Sequence, residues 1–127
     1  MPKQIINTAA APAAIGPYSQ AVAAGDFLFL SGQIPLDPLT GQLCANDISR
    51  QVEQVLNNIK AILASAGLDF SDIVKTVIYL TDLADFAIVN EAYAQSIPEP
   101  FPARTTIQVA ALPRGARIEI EATAKRH

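Results

Sequence analysis

The chain has 127 residues, half of them hydrophobic, which is the size and make-up of one compact domain over residues 1–127 and excludes intrinsic disorder. Its 9 Lys and Arg against 12 Asp and Glu leave a net charge of −3, and with no run of cations a nucleic-acid partner is not expected. Charged residues make up 17%, below the roughly 25% usual in soluble domains, so part of the surface is expected to be covered by another copy of the chain.

In chain order, Gln4-Ile5-Ile6 has the character of a short strand, and the small-residue loop Ala9 to Ala14 must lie over something larger than itself. Tyr18 to Ala24 and Phe27 to Ser31 are apolar, strand-like runs joined at Gly25-Asp26, a pair suited to a tight hairpin because glycine tolerates positive φ. Gly32-Gln33-Ile34-Pro35 leaves the second strand, and Asp37-Pro38-Leu39-Thr40-Gly41 is a turn. Asp47 is placed to cap a helix whose apolar residues Ile48, Val52, Val55, Leu56, Ile59, Ile62 and Leu63 recur at three and four. Arg50, Glu53, Asn57 and Lys60 fall on its wetter side, and Gly67 suits the position just past its end.

Ile73 to Leu80 is β-branched and aromatic, as a central strand requires. Asp82 or Asp85 then caps a second helix with a narrower stripe of Phe86, Val89 and Tyr93. That helix stops by Ile97, because Pro98, Pro100 and Pro102 remove three backbone donors and stiffen the segment that follows. Thr105 to Ala110 is a further strand, Leu112 to Gly115 a turn, and Arg117 to Ala124 alternates with period two. On that last strand Ile118, Ile120 and Ala122 face one way and Arg117, Glu119 and Glu121 the other. The order β-β-α-β-α-β-β predicts an α+β domain with two helices covering one face of a mixed sheet.

Counting removes several catalytic schemes. The only histidine, His127, ends the chain, which leaves a Ser-His-Asp or Cys-His site without an anchored base. Cys44 has no neighbouring cation to activate it and no partner for an internal disulfide. No cluster has metal-ligand spacing, so no metal site is expected. The start Met-Pro-Lys-Gln carries no apolar signal region, and the uncharged stretch 4–25 is broken by Pro12, Gly16 and Pro17, so a cytoplasmic protein without a membrane span is expected. Glu119 and Glu121 share a strand face about 7 Å apart, a spacing found both in carboxylate pairs that hydrolyse glycosides and in plain solvated sheet faces. Arg104 follows the stiff proline segment and suits either a bidentate clamp for a carboxylate ligand or a structural ion pair.

Six segments together resemble one family. Ile15-Gly16-Pro17-Tyr18, Ser31-Gly32-Gln33-Ile34-Pro35, Asp72-Ile73-Val74-Lys75-Thr76, Asp85-Phe86 with Val89-Asn90, Phe101-Pro102-Ala103-Arg104 and Ile118-Glu119-Ile120-Glu121-Ala122 are similar, in order and spacing, to the signatures of the Rid/YjgF family of reactive-intermediate imine deaminases. The similarity runs from about Ile5 to Lys125. It implies a chorismate-mutase-like α+β fold assembled as a homotrimer with clefts between subunits. It implies a cofactor-independent hydrolysis of 2-imino acids, namely 2-iminopropanoate and 2-iminobutanoate formed from 2-aminoacrylate and 2-aminocrotonate, to 2-keto acids and ammonia. By the same resemblance Arg104 holds the substrate carboxylate, Glu119 activates water, and Tyr18, Ser31, Gly32 and Asn90 line the cleft. The backbone amide of Thr106 joins Arg104, although Thr105 and Thr106 are bulkier than the small residues and cysteine usual there, which bears on substrate size. A non-catalytic trimer that binds 2-keto carboxylates as a sensor would use the same arginine. The ribonuclease or translation-inhibitor activity with which relatives have been named fits the acidic balance poorly.

Overall fold

The computed structural model describes residues 2–127 as a six-stranded sheet with two helices on one face. The strands are β1 (Gln4–Ile6), β2 (Ala21–Ala24), β3 (Phe27–Gln33), β4 (Ile73–Leu80), β5 (Ala103–Gln108) and β6 (Ile118–Lys125). The helices are α1 (Ile48–Ser65) and α2 (Phe86–Ser96). Spatial order is β1-β2-β3-β6-β4-β5, antiparallel throughout except for the parallel pair β4 and β5 at one edge, which α2 connects. Among the described residues no helix is long and apolar enough to cross a membrane.

Period-two burial sets the sheet's inner face. Leu28 and Leu30 of β3, Ile78 and Leu80 of β4, and Ile118, Ile120, Ala122 and Ala124 of β6 are all buried. The stripe Ile48, Val52, Val55, Leu56, Ile59, Ile62 and Leu63 of α1 closes over them. Asp47 caps α1 through Ser49 N–H at 3.0 Å, and Gly67 follows its end at φ +76. Two polar residues buried in α1 fix the connections that lead to the sheet's open end. Asn58 Nδ2 donates to the Ile34 and Leu36 carbonyls at 3.3 and 3.1 Å, while Gln51 links the Ala45 carbonyl at 2.7 Å to Arg117 N–H at 2.8 Å.

Several boundaries differ from the sequence expectation. Gln4–Ile6 is the short strand its residues suggest, an edge strand paired with β2, and it precedes the order β-β-α-β-α-β-β. β2 begins at Ala21 rather than Tyr18, because Gly16 at φ +125 turns the chain and Tyr18 N–H bonds back to its carbonyl at 2.9 Å. The loop before β2 is held down by Gln20, which donates to the Thr8, Ala11 and Pro12 carbonyls. β5 spans Ala103–Gln108 instead of 105–110, taking its parallel register from β4 directly after Pro102. Asp82 caps the single turn Leu83–Asp85, not α2, and Asp85 makes no cap bond. Asp85 instead accepts from Arg117 Nη2 at 2.9 Å on both oxygens, so Arg117 turns towards the start of α2 and does not share the face of Glu119 and Glu121.

The sheet's outer face has no helix over it. Phe27 and Phe29, stacked at 6.2 Å, are 41% and 49% exposed there, and Val74 and Ile107 are exposed as well.

Candidate active site

Arg104 is the second residue of β5, opposite Thr76 of β4. Thr76 is buried towards the helices, where its hydroxyl pairs with the Tyr93 hydroxyl at 2.8 Å, and Arg104 leaves the sheet on the same side. Its guanidinium lies 5.1 Å from the Tyr93 ring centre and 5.6 Å from that of Phe86. Aromatic faces attract a guanidinium without neutralising it. Among the described residues Arg117 pairs with Asp85 and His127 contacts Asp72, and no carboxylate pairs with Arg104. A concavity of about 330 Å³ opens beside it, lined by Asn90, Tyr93, Ala94, Phe101 and Pro102. This is a fixed, unneutralised cation facing an apolar-walled pocket, the arrangement that suits a small carboxylate. Burial pushes the Tyr93 phenol up, so it stays a neutral wall.

Thr106 lies two residues beyond Arg104, opposite Ile78, and therefore on the same side of β5. Its Oγ1 is buried without a hydrogen-bond partner. A buried hydroxyl left in that state can serve an incoming polar group.

Glu119 lies on the opposite face. Its neighbours Ile118 and Ile120 are buried against the helices, so alternation sends Glu119 outward, in register with Tyr79. A second concavity of about 360 Å³ forms there from Tyr18, Ser31, Gly32, Ile34, Pro113 and Glu119. The register of β3 on β6 slips between Leu30 and Gln33, an irregularity that carries Ser31 and Gly32 against Glu119. Ser31 is anchored by its hydroxyl to the Ser19 carbonyl at 2.6 Å. Gly32 leaves room for Glu119 in its observed place, since a Cβ would sit 2.8 Å from Glu119 Cδ and displace that side chain. Burial raises the affinity of Glu119 for its proton, and the charge of Glu121 raises it further.

The expected residues thus gather in two groups. Arg104, Asn90 and Thr106 belong to the helix side of β5, and Tyr18, Ser31, Gly32 and Glu119 to the outer side of β3 and β6. The sheet separates them within one protomer. Phe86 and Tyr93, which the sequence offers only as an apolar stripe, are the cradle of Arg104; nothing in the helical period distinguishes that task from ordinary packing.

Comparison with known proteins places these features in a context. The profile of the family described as Endoribonuclease L-PSP matches residues 8–126. A human 2-iminobutanoate/2-iminopropanoate deaminase is 51% identical over 122 residues, covering 96% of this chain and 89% of its own. A Yersinia pestis protein of the Rid family superposes with a TM-score of 0.96 at 49% identity, covering 98% of this chain and 99% of that one. The E. coli TdcF structure, solved with serine bound, gives 0.91 at 44% identity over 98% and 99% of the two chains.

Proposed function

The chain belongs to the Rid/YjgF family, described also as Endoribonuclease L-PSP, and from that premise we propose that it hydrolyses small 2-imino acids to 2-keto acids and ammonia. The observation that carries the reading is the guanidinium of Arg104, cradled by Phe86 and Tyr93 and free of any carboxylate. A 2-imino acid bears its carboxylate one bond from the carbon to be attacked, so a clamp on the carboxylate also fixes the electrophile. A protonated imine carbon reacts with water directly. The site has only to anchor the substrate, orient one water and move one proton.

In this reading Arg104 pairs with the carboxylate, assisted by Thr106, and Glu119 accepts a proton as water adds to the carbon. Glu119 then returns that proton to the carbinolamine nitrogen, and as the C–N bond breaks the hydroxyl becomes the keto group and its proton leaves with ammonia as ammonium. The raised proton affinity of Glu119 suits a group that must take and release a proton in one turnover. Because Arg104 and Glu119 leave opposite faces of one sheet, the working cleft lies between protomers, Arg104 and Asn90 from one copy and Tyr18, Ser31, Gly32 and Glu119 from the next. Three copies closing around their outer sheet faces would cover Phe27 and Phe29 and form three such clefts, in keeping with the low charged fraction.

The serine held by TdcF favours one other reading, a trimer that binds small carboxylates without turnover. The two are separated by generating a 2-imino acid in place with an amino-acid oxidase and trapping the remainder with semicarbazide. Faster imine loss with the wild type and none with Arg104→Ala supports the deaminase; no acceleration by a folded oligomer supports the binding protein. The ribonuclease suggested by the family description needs clustered cations, and a net charge of −3 argues against it.

A further inference from the structure

The concavity beside Arg104 continues past the place where a carboxylate would be held. As the connection between two parallel strands, α2 runs antiparallel to β5. Leu83, just ahead of α2, accordingly donates its backbone N–H to Oε1 of Gln108, the last residue of β5, at 2.9 Å, and the end of α2 lies beside the residues that lead into β5. Asn90 and Ala94, one turn apart on α2, form one wall of the concavity, and Phe101 with Pro102 forms the other. The guanidinium of Arg104 rests on Tyr93 and on Phe86, which precedes Ala94 by about two turns. A ligand anchored on the guanidinium therefore extends along α2 towards Ala94 and Phe101.

These walls suit an apolar group. Ala94 offers a methyl, and the Tyr93 hydroxyl is already paired with Thr76 at 2.8 Å, which leaves its ring to line the space. Phe101 is 53% exposed and stands outside the buried core, so packing against the sheet does not account for it. At about 30 Å³ for a water-sized group, the non-hydrogen atoms of 2-iminopropanoate fill only about half of the concavity's 330 Å³.

We propose that Ala94 and Phe101 form the specificity pocket of the site and receive the substrate's side chain. The class they select is 2-imino acids with a neutral, apolar side chain longer than the methyl or ethyl of 2-iminopropanoate and 2-iminobutanoate, about the size of the imine derived from leucine. Turnover of that substrate rests on the deaminase reading; recognition of the side chain does not.

Both walls belong to the protomer that supplies Arg104, so one copy reads the carboxylate and the side chain together. Among the described residues Arg104 is the only charged one on the lining, and a second carboxylate on the substrate would be desolvated there without a partner. One methylene in an apolar pocket is worth about 10–200-fold in kcat/KM, so a leucine-sized chain gains clearly over a methyl.

The test uses two readouts. Pyruvate, 4-methyl-2-oxopentanoate and 2-oxoglutarate are titrated calorimetrically, and the imines of alanine and leucine, generated by an amino-acid oxidase, are followed by semicarbazide trapping. In the wild type 4-methyl-2-oxopentanoate should bind about tenfold more tightly than pyruvate, 2-oxoglutarate more weakly than 4-methyl-2-oxopentanoate, and the leucine imine should have the higher kcat/KM. Ala94→Leu fills the pocket from an exposed helix position that accepts leucine, and Phe101→Ala removes a wall. Each should lower the ratio of leucine-type to alanine-type ligand about tenfold, in affinity and in kcat/KM. Pyruvate binding as tightly as 4-methyl-2-oxopentanoate in the wild type, or an unchanged ratio in either folded variant, overturns the proposal. If the 2-oxo acids follow it while the wild type accelerates the loss of neither imine, the pocket stands and the deaminase reading fails.

Discussion

Replacing Gly32 by alanine should leave the fold nearly untouched and disable the site. The added Cβ would lie 2.8 Å from Glu119 Cδ and 3.1 Å from Cγ, well inside the carbon–carbon contact distance of about 3.5–4.0 Å. Gly32 does not adopt a positive φ, so alanine meets no backbone strain there. The obstacle is the far end of a half-buried side chain, which swings aside by roughly 1 Å to restore contact. Overpacking in a closed core costs about 1–3 kcal/mol, but here the outward concavity absorbs the movement, and the smaller entropy of the unfolded chain offsets part of it by about 0.4–1 kcal/mol. A shift of that size in the group that handles the water is worth on the order of a hundredfold in rate. Imine trapping and a thermal melt on the same preparation check both halves. Wild-type turnover in Gly32→Ala with an unchanged melt would refute the reasoning, because Glu119 would then be shown not to need its observed place.

Two further outcomes follow from charge. Glu119 has its proton affinity raised in the folded state by burial and by Glu121, so its ionisation opposes folding. That opposition is absent below the unfolded carboxyl midpoint near pH ~4.3 and full once pH exceeds the folded one. Glu119→Gln should therefore melt higher than the wild type at pH 7, with the gain fading as pH falls towards 4 in a series of calorimetric scans. Arg117→Met leaves Asp85, only 10% exposed, without its partner and should lower stability by about 1–3 kcal/mol in urea titrations, without altering the fluorescence or circular dichroism of the native baseline.

The inner framework was readable because its signals are periodic. The 3.6-residue stripe of α1, the capping Asp47 and the alternation of β6 each fix a buried face from neighbouring positions alone. Arg117 shows the limit of that logic, since it precedes β6 and turns to Asp85, 32 residues away, instead of following the alternation. β1 carries only three residues, too few for a period, and is stabilised by pairing with β2. The site residues were legible through family resemblance, but their division between two faces was not. It depends on Arg104 being in parallel register with Thr76 and Glu119 in antiparallel register with Tyr79, relations between distant segments. A hydrogen bond from the Tyr79 hydroxyl to Glu121 spans 42 residues and has no local signature.

The division of the site between protomers is tested most directly by mixing two inactive variants. Arg104→Ala keeps an intact Glu119 half and Glu119→Gln an intact Arg104 half; denatured together and refolded at equal amounts, they assort at random. If each cleft takes one half from each of two neighbouring copies, about one cleft in four recovers both native groups, and about a quarter of wild-type imine loss should return. If each protomer carries a whole site, every cleft retains one defect. A folded, mixed oligomer with no more activity than its parents would contradict the account.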